Sequence, residues 1–108
     1  MIKALFEKNN DSIVSINLSG HAESADEGYD MVCSAVSAIS LTIANGITDV
    51  VKVNPNLSLE DGFLSMDFKN LSQEDIEKSQ VLMQTLLIGL KSIEISYGDY
   101  ITIVVEEV

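Results

Sequence analysis

Val14-Ser15-Ile16-Asn17-Leu18-Ser19-Gly20-His21 begins as a strand, and Asp30-Met31-Val32-Cys33-Ser34-Ala35-Val36-Ser37-Ala38 continues as a helix. In the first piece Val14, Ile16 and Leu18 alternate with Ser15, Asn17 and Ser19, the period of a half-buried strand. In the second, Val32, Val36, Ile39 and Ile43 recur at helical spacing and predict a helix over residues 30–45 with that stripe toward a sheet. Asp30 is the expected N-cap, which puts Cys33 in the first turn. Gly20 frees the backbone for the change of direction, and residues 21–29, with Gly28 among them, read as a loop. The change of period within one short stretch decides for a fold that mixes strands and helices.

Working outward, Ile2, Ala4 and Phe6 alternate with Lys3, Leu5 and Glu7 as a first strand. Asn9-Asn10-Asp11 supplies the turn of a hairpin. Beyond the helix, Gly46 fits a helix end, Thr48 to Val53 read as a short strand or extended connection, and Asn54-Pro55-Asn56 breaks it. Leu57 and Leu59, the turn signal Asp61-Gly62, then Leu64, Met66 and Phe68 predict a second hairpin. Ser72-x-x-Asp75 is a capping pattern for a second helix whose stripe is Ile76, Met83, Leu87 and Leu90, widened by Leu82 and Leu86. Tyr97-Gly98-Asp99 turns the chain into a last strand, Tyr100 to Val105. The expected class is α+β: a mostly antiparallel sheet with two helices packed on one face, in the order β-β-α-β-β-α-β.

The 108 residues fit one domain spanning the chain. Hydrophobic residues make up 46%, enough for a packed core. No apolar run is expected to reach membrane-spanning length, and Met1 to Glu7 reaches an acid too soon for a signal peptide. A single Cys suits a reducing cytoplasm. Six basic residues, all Lys, stand against 17 acids, a net charge of −11. Such a balance offers no basic patch for phosphate, so direct nucleic-acid binding is not expected, whereas a basic peptide is an acceptable partner.

His21 is the only His and Cys33 the only Cys. A strand end beside a helix start can bring an imidazole to a thiol, the minimum for a cysteine nucleophile. A neighbouring imidazolium and a helix N-terminus both favour the thiolate, and helix-terminal amides can hold an oxyanion. On spacing alone, a buried Cys and a structural His are the commoner outcome. One His and one Cys do not make a zinc site, and there is no phosphate-binding glycine motif, so no cofactor or metal is expected.

The residues Gly20-His21-Ala22, Asp30-x-Val32-Cys33-x-Ala35-Val36-Ser37, Asp61-Gly62-Phe63-Leu64 and Gln84-Thr85-Leu86-Leu87-x-Gly89-Leu90 together resemble the bacterial ribosomal-processing cysteine proteases over nearly the whole chain. Ser34 departs from the Ala common after the Cys. The resemblance implies a cytoplasmic, homodimeric cysteine endopeptidase. It would remove the N-terminal extension of a large-subunit ribosomal protein, with Cys33 as nucleophile and His21 as general base and acid. Asp30 and Ser37 are candidate orienting or supporting residues, and Gly20 and Gly28 are assigned to loop geometry around the peptide. The competing reading is a non-catalytic, dimeric binding module of ribosome assembly.

Overall fold

The computed structural model describes residues 1–20, 27–60 and 63–108. Strands β1 (Ile2–Asn9) and β2 (Ser12–Ser19) form the first hairpin, turned through Asn10 at φ 57°. Asn is among the few side chains that enter the left-handed region at low cost. Helix α1 (Glu27–Asn45) follows, then β3 (Asn56–Glu60), β4 (Phe63–Asp67), helix α2 (Gln73–Tyr97) and β5 (Ile101–Glu107). The five strands lie side by side in the order β3-β4-β2-β1-β5. Neighbours are antiparallel except β5, which runs parallel to β1 with Ile2 beside Ile101. The α+β order read from the sequence is the observed one; strand order was not legible there.

The alternation in the strands builds one buried face. Ile2, Ala4 and Phe6 of β1, Val14, Ile16 and Leu18 of β2, and Leu64 and Met66 of β4 join Phe68 and Ile101 in the core. Helix α2 lies directly on β2 and β5, and α1 packs on α2. The two helices run antiparallel: Ile39 faces Gly89, and Gly46 faces Leu82. A methyl group added at Gly46 would come within 3.0 Å of Leu82 Cδ1, so this glycine serves close packing.

Three features fix α2. Its N-cap is Ser72, whose Oγ accepts from the Asp75 N–H at 3.1 Å, as the capping pattern predicted. Gln80 clamps β2: its Oε1 accepts from the Ile13 N–H at 2.7 Å, and its Nε2 donates to the Ile13 carbonyl at 2.8 Å. Between Glu7, opposite Ser15, and Lys8, opposite Ile13, the β1–β2 register shifts, so Val14 is the extra residue of a bulge in β2 beside this clamp. At the far edge, the Glu94 carboxylate of α2 accepts from the Ile103 N–H of β5 at 2.8 Å.

Three local expectations are corrected. Helix α1 starts at Glu27, not Asp30, so Gly28 is helical rather than a loop residue and Asp30 is not the N-cap. In this first turn Tyr29 is buried, with its ring against Tyr100. Gly46 does not end the helix: the chain continues as a π-helical turn, Gly46–Val51, where an extended segment was expected. That turn buries Ile47 completely and ends at Lys52, in the left-handed region at φ 66°, with the Val53 N–H donating to the Ile47 carbonyl at 3.0 Å. As a result Gly28–Val51 forms one helical stretch that is long and apolar enough, by length and composition, to cross a membrane, which corrects the expectation that no apolar run reaches that length. Its residues Val32, Val36, Ile43, Ala44 and Ile47 lie in the same core as the sheet. The expected turn at Asp61-Gly62 falls outside the described residues.

Candidate active site

Cys33 lies six residues after Glu27, in the second turn of α1, partly buried and packed against the core. This corrects its expected place in the first turn. At about 1.5 Å of rise per residue, roughly 9 Å of helix separates it from the start of α1. The terminal amides of α1 at Glu27–Asp30 therefore do not flank the sulfur. Asp30 and Ser37 stand three residues before and four after Cys33, on the same side of the helix, and both are exposed. Ser34 is exposed as well.

His21 lies outside the described residues; the residues on either side of 21–26 are described. On one side, Gly20 follows the last pair of β2, in which Ser19 is matched to Lys3 and Phe63. A Cβ on Gly20 would stand 2.9 Å from Ile2 Cα, so the glycine is required by close backbone approach to β1. On the other side, the Tyr29 ring meets the Tyr100 ring edge-on, centroids 6.3 Å apart. Tyr100 in turn is tied to the start of β1, because the Ile2 N–H donates to its carbonyl at 2.8 Å. Gly20 and Tyr29 thus converge on one corner of the sheet, at Ile2. His21 is adjacent to the first in sequence, and Cys33 is one helical turn beyond the second. The Tyr29–Tyr100 contact that pins this corner was not found by sequence reasoning. A tyrosine one turn before the candidate nucleophile was its only trace.

Among the described residues no cluster of three His, Cys, Asp or Glu side chains is arranged to hold a metal ion. The electrostatic feature that stands out lies on the opposite, open face of the sheet. The Lys69 ammonium sits 2.7 Å from Glu7 Oε1, and the Ser15 hydroxyl donates to the same oxygen at 2.6 Å. Lys69, and then Ser15, hold the Glu7 carboxyl below its ordinary range, while Glu7 raises Lys69. This pair joins β1 to the segment leading into α2 and takes no part in the contacts among Gly20, Ile2, Tyr29 and Tyr100.

The family model described as cysteine protease Prp matches residues 1–102. A ribosomal processing cysteine protease Prp of Bacillus subtilis (strain 168) is 30% identical over 103 residues, covering 92% of each chain. SMU.848 from Streptococcus mutans has the same fold, with a TM-score of 0.90 at 27% identity over 100% of this chain and 96% of that one. The ribosomal processing protease Prp from S. aureus in complex with a substrate peptide gives a TM-score of 0.85 at 23% identity, covering 97% of this chain and 99% of the other. With its full set of strands and helices in the shared arrangement and the family match running almost end to end, the chain belongs to the cysteine protease Prp family.

Proposed function

We propose that this chain is a cytoplasmic cysteine endopeptidase, one domain over residues 1–108, that removes the N-terminal extension of a large-subunit ribosomal protein and works as a homodimer. The observation that supports the reading is the match to the cysteine protease Prp family over residues 1–102, within which His21 follows Gly20 and Cys33 lies four residues after Tyr29 in the sequence. The substrate follows from family membership. A basic precursor peptide also suits a chain at net −11.

In this reading the Cys33 thiolate attacks the scissile carbonyl carbon and forms a tetrahedral oxyanion. Collapse of that intermediate breaks the C–N bond. The His21 imidazolium gives its proton to the departing amine, leaving a thioester on Cys33. Water then attacks the thioester carbonyl while His21 takes a proton from it. Release of the carboxyl product restores the imidazolium and the thiolate. Asp30 and Ser37, beside Cys33 on α1, are proposed to orient the peptide or the imidazole.

The test is cleavage of a peptide spanning the extension junction, in the source organism's own sequence, with the cut located by mass spectrometry. A single cut in wild type, lost in both Cys33→Ala and His21→Ala while their circular dichroism is unchanged, supports the dyad and the substrate. Cleavage by Cys33→Ala at the wild-type rate overturns the proposal.

A further inference from the structure

We propose that Glu94 is a guard on the outer edge of the sheet, keeping β5 closed to the addition of another strand. Strand β5 is outermost in the order β3-β4-β2-β1-β5. Its neighbour β1 uses the main chain of the even-numbered residues: the Ile2 N–H donates to the Tyr100 carbonyl, and the Val108 N–H donates to the Lys8 carbonyl, each at 2.8 Å. A parallel ladder bonds alternate residues, so the N–H and C=O groups of Ile101, Ile103, Val105 and Glu107 point away from β1. An edge of this kind is a template for a further strand. The sequence makes it a strong one. Ile101-Thr102-Ile103-Val104-Val105 is five β-branched residues without a charge, the composition of segments that pair with their own kind.

Charge bounds this run at both ends, with Asp99 before it and Glu106 and Glu107 after it, all exposed. Its centre has no charge of its own. Glu94 supplies one from α2: its half-buried carboxylate reaches the edge and accepts from the Ile103 N–H at 2.8 Å. Two effects follow. The central donor of the edge is already taken. An incoming strand must also displace the carboxylate and leave it beside its own carbonyl oxygens, without the donor that satisfied it. The strand excluded is β5 of further copies, because this run is suited to pairing with itself. The other outer strand, β3, is shorter and needs no guard: Asn56, Ser58 and Glu60 alternate with its two leucines.

The inference is independent of the proposed catalytic function. Wild type, Glu94→Ala and Gln80→Leu are compared in reducing buffer by sedimentation velocity and thioflavin T fluorescence over a range of protein concentration, with far-UV circular dichroism on each. Gln80→Leu is the control because it also removes a bond from α2 to a strand, but to an inner one. Glu94→Ala is expected to build thioflavin-positive assemblies larger than the wild-type species, while Gln80→Leu keeps the wild-type size. In dilute solution the Ile103 amide should exchange at least about tenfold faster in Glu94→Ala than in wild type, the weight of one hydrogen bond to a charged group. Adding Ile103→Pro deletes the outward donor at a position where an edge strand tolerates proline, and should abolish the assembly. Should that double variant fail to fold, Glu94→Ala with Val105→Lys returns a charge to the run at an exposed position and is expected to do the same. The proposal is overturned if Glu94→Ala keeps the wild-type size, or if Gln80→Leu assembles equally. It is overturned as well if the added substitution leaves the assembly unchanged, or if the Ile103 amide exchanges equally fast in wild type and Glu94→Ala.

Discussion

The two helices share a core but are held in different ways. Helix α2 is tied down at every level: a side-chain cap at Ser72, the Gln80 clamp on Ile13, and the Glu94 bond to Ile103. Its buried Ser79 hydroxyl donates to the Asp75 carbonyl at 2.9 Å. Helix α1 leans on α2 rather than on the sheet, carries no charge between Asp30 and Asp49, and ends through a π-helical turn on a non-glycine residue in the left-handed region. Its buried Ser40 hydroxyl has no partner among the described residues. The better-secured helix carries none of the proposed catalytic groups, and the less-secured one carries Cys33. Reactive groups commonly sit on elements whose stability is drawn from a neighbour.

The sharpest way to break this contrast is to damage the anchor. Leu90→Ala, at a fully buried position of α2, is expected to cost about 2–5 kcal/mol in urea unfolding. Near-native stability in that variant would mean that α2 is not the anchor. A smaller loss is expected of Gln80→Leu, which strands the Ile13 N–H and carbonyl; roughly 1–3 kcal/mol follows from unpaired buried polar groups. Amide exchange at Ile13 should then quicken more than at the β1 residues beyond the bulge.

On the α1 side the sign reverses. Lys52→Gly relieves the left-handed backbone at the end of the π-helical turn and should raise stability by about 0.5–1 kcal/mol, read as a higher urea midpoint at unchanged slope. A loss instead would show that the lysine side chain contributes more than its backbone costs.

The smallest effect belongs to the pair that secures the lead-in to α2. Because Lys69 and Ser15 lower the folded pKa of Glu7, the pair adds stability above the unfolded carboxylate value of about 4.3. That contribution fades as pH falls through the folded value. Glu7→Gln should therefore be less stable than wild type near neutrality, and the gap should close in acid below about pH 4. A gap independent of pH would assign the loss to packing.

Period-two and period-3.6 patterns were enough to read every strand and both helices, because one-sided burial leaves that trace in a chain. The Ser72 cap was legible for a similar reason, since its partner lies three residues away. What failed depended on distant contacts. The helical first turn of α1 places Tyr29 on Tyr100, and the helical turn after Asn45 places Ile47 in the core. Neither fact is written near those residues. At the site, residue identity marked His21 and Cys33, but the placement of Cys33 within its helix did not follow from spacing.

The parallel pairing of β1 with β5 sets the order in which this molecule can be completed. Ile2 is matched to Ile101, and the Ile2 N–H is bonded to Tyr100. As the chain leaves the ribosome, the β1–β2 hairpin can form at once from local contacts, while the corner beneath Gly20 and Tyr29 stays open until the last strand emerges. Contacts that span so much of a chain form late and slow the closing step. The corner reached by Gly20 and Tyr29 is therefore among the last parts of this fold to close, since it waits for β5 to pair with β1.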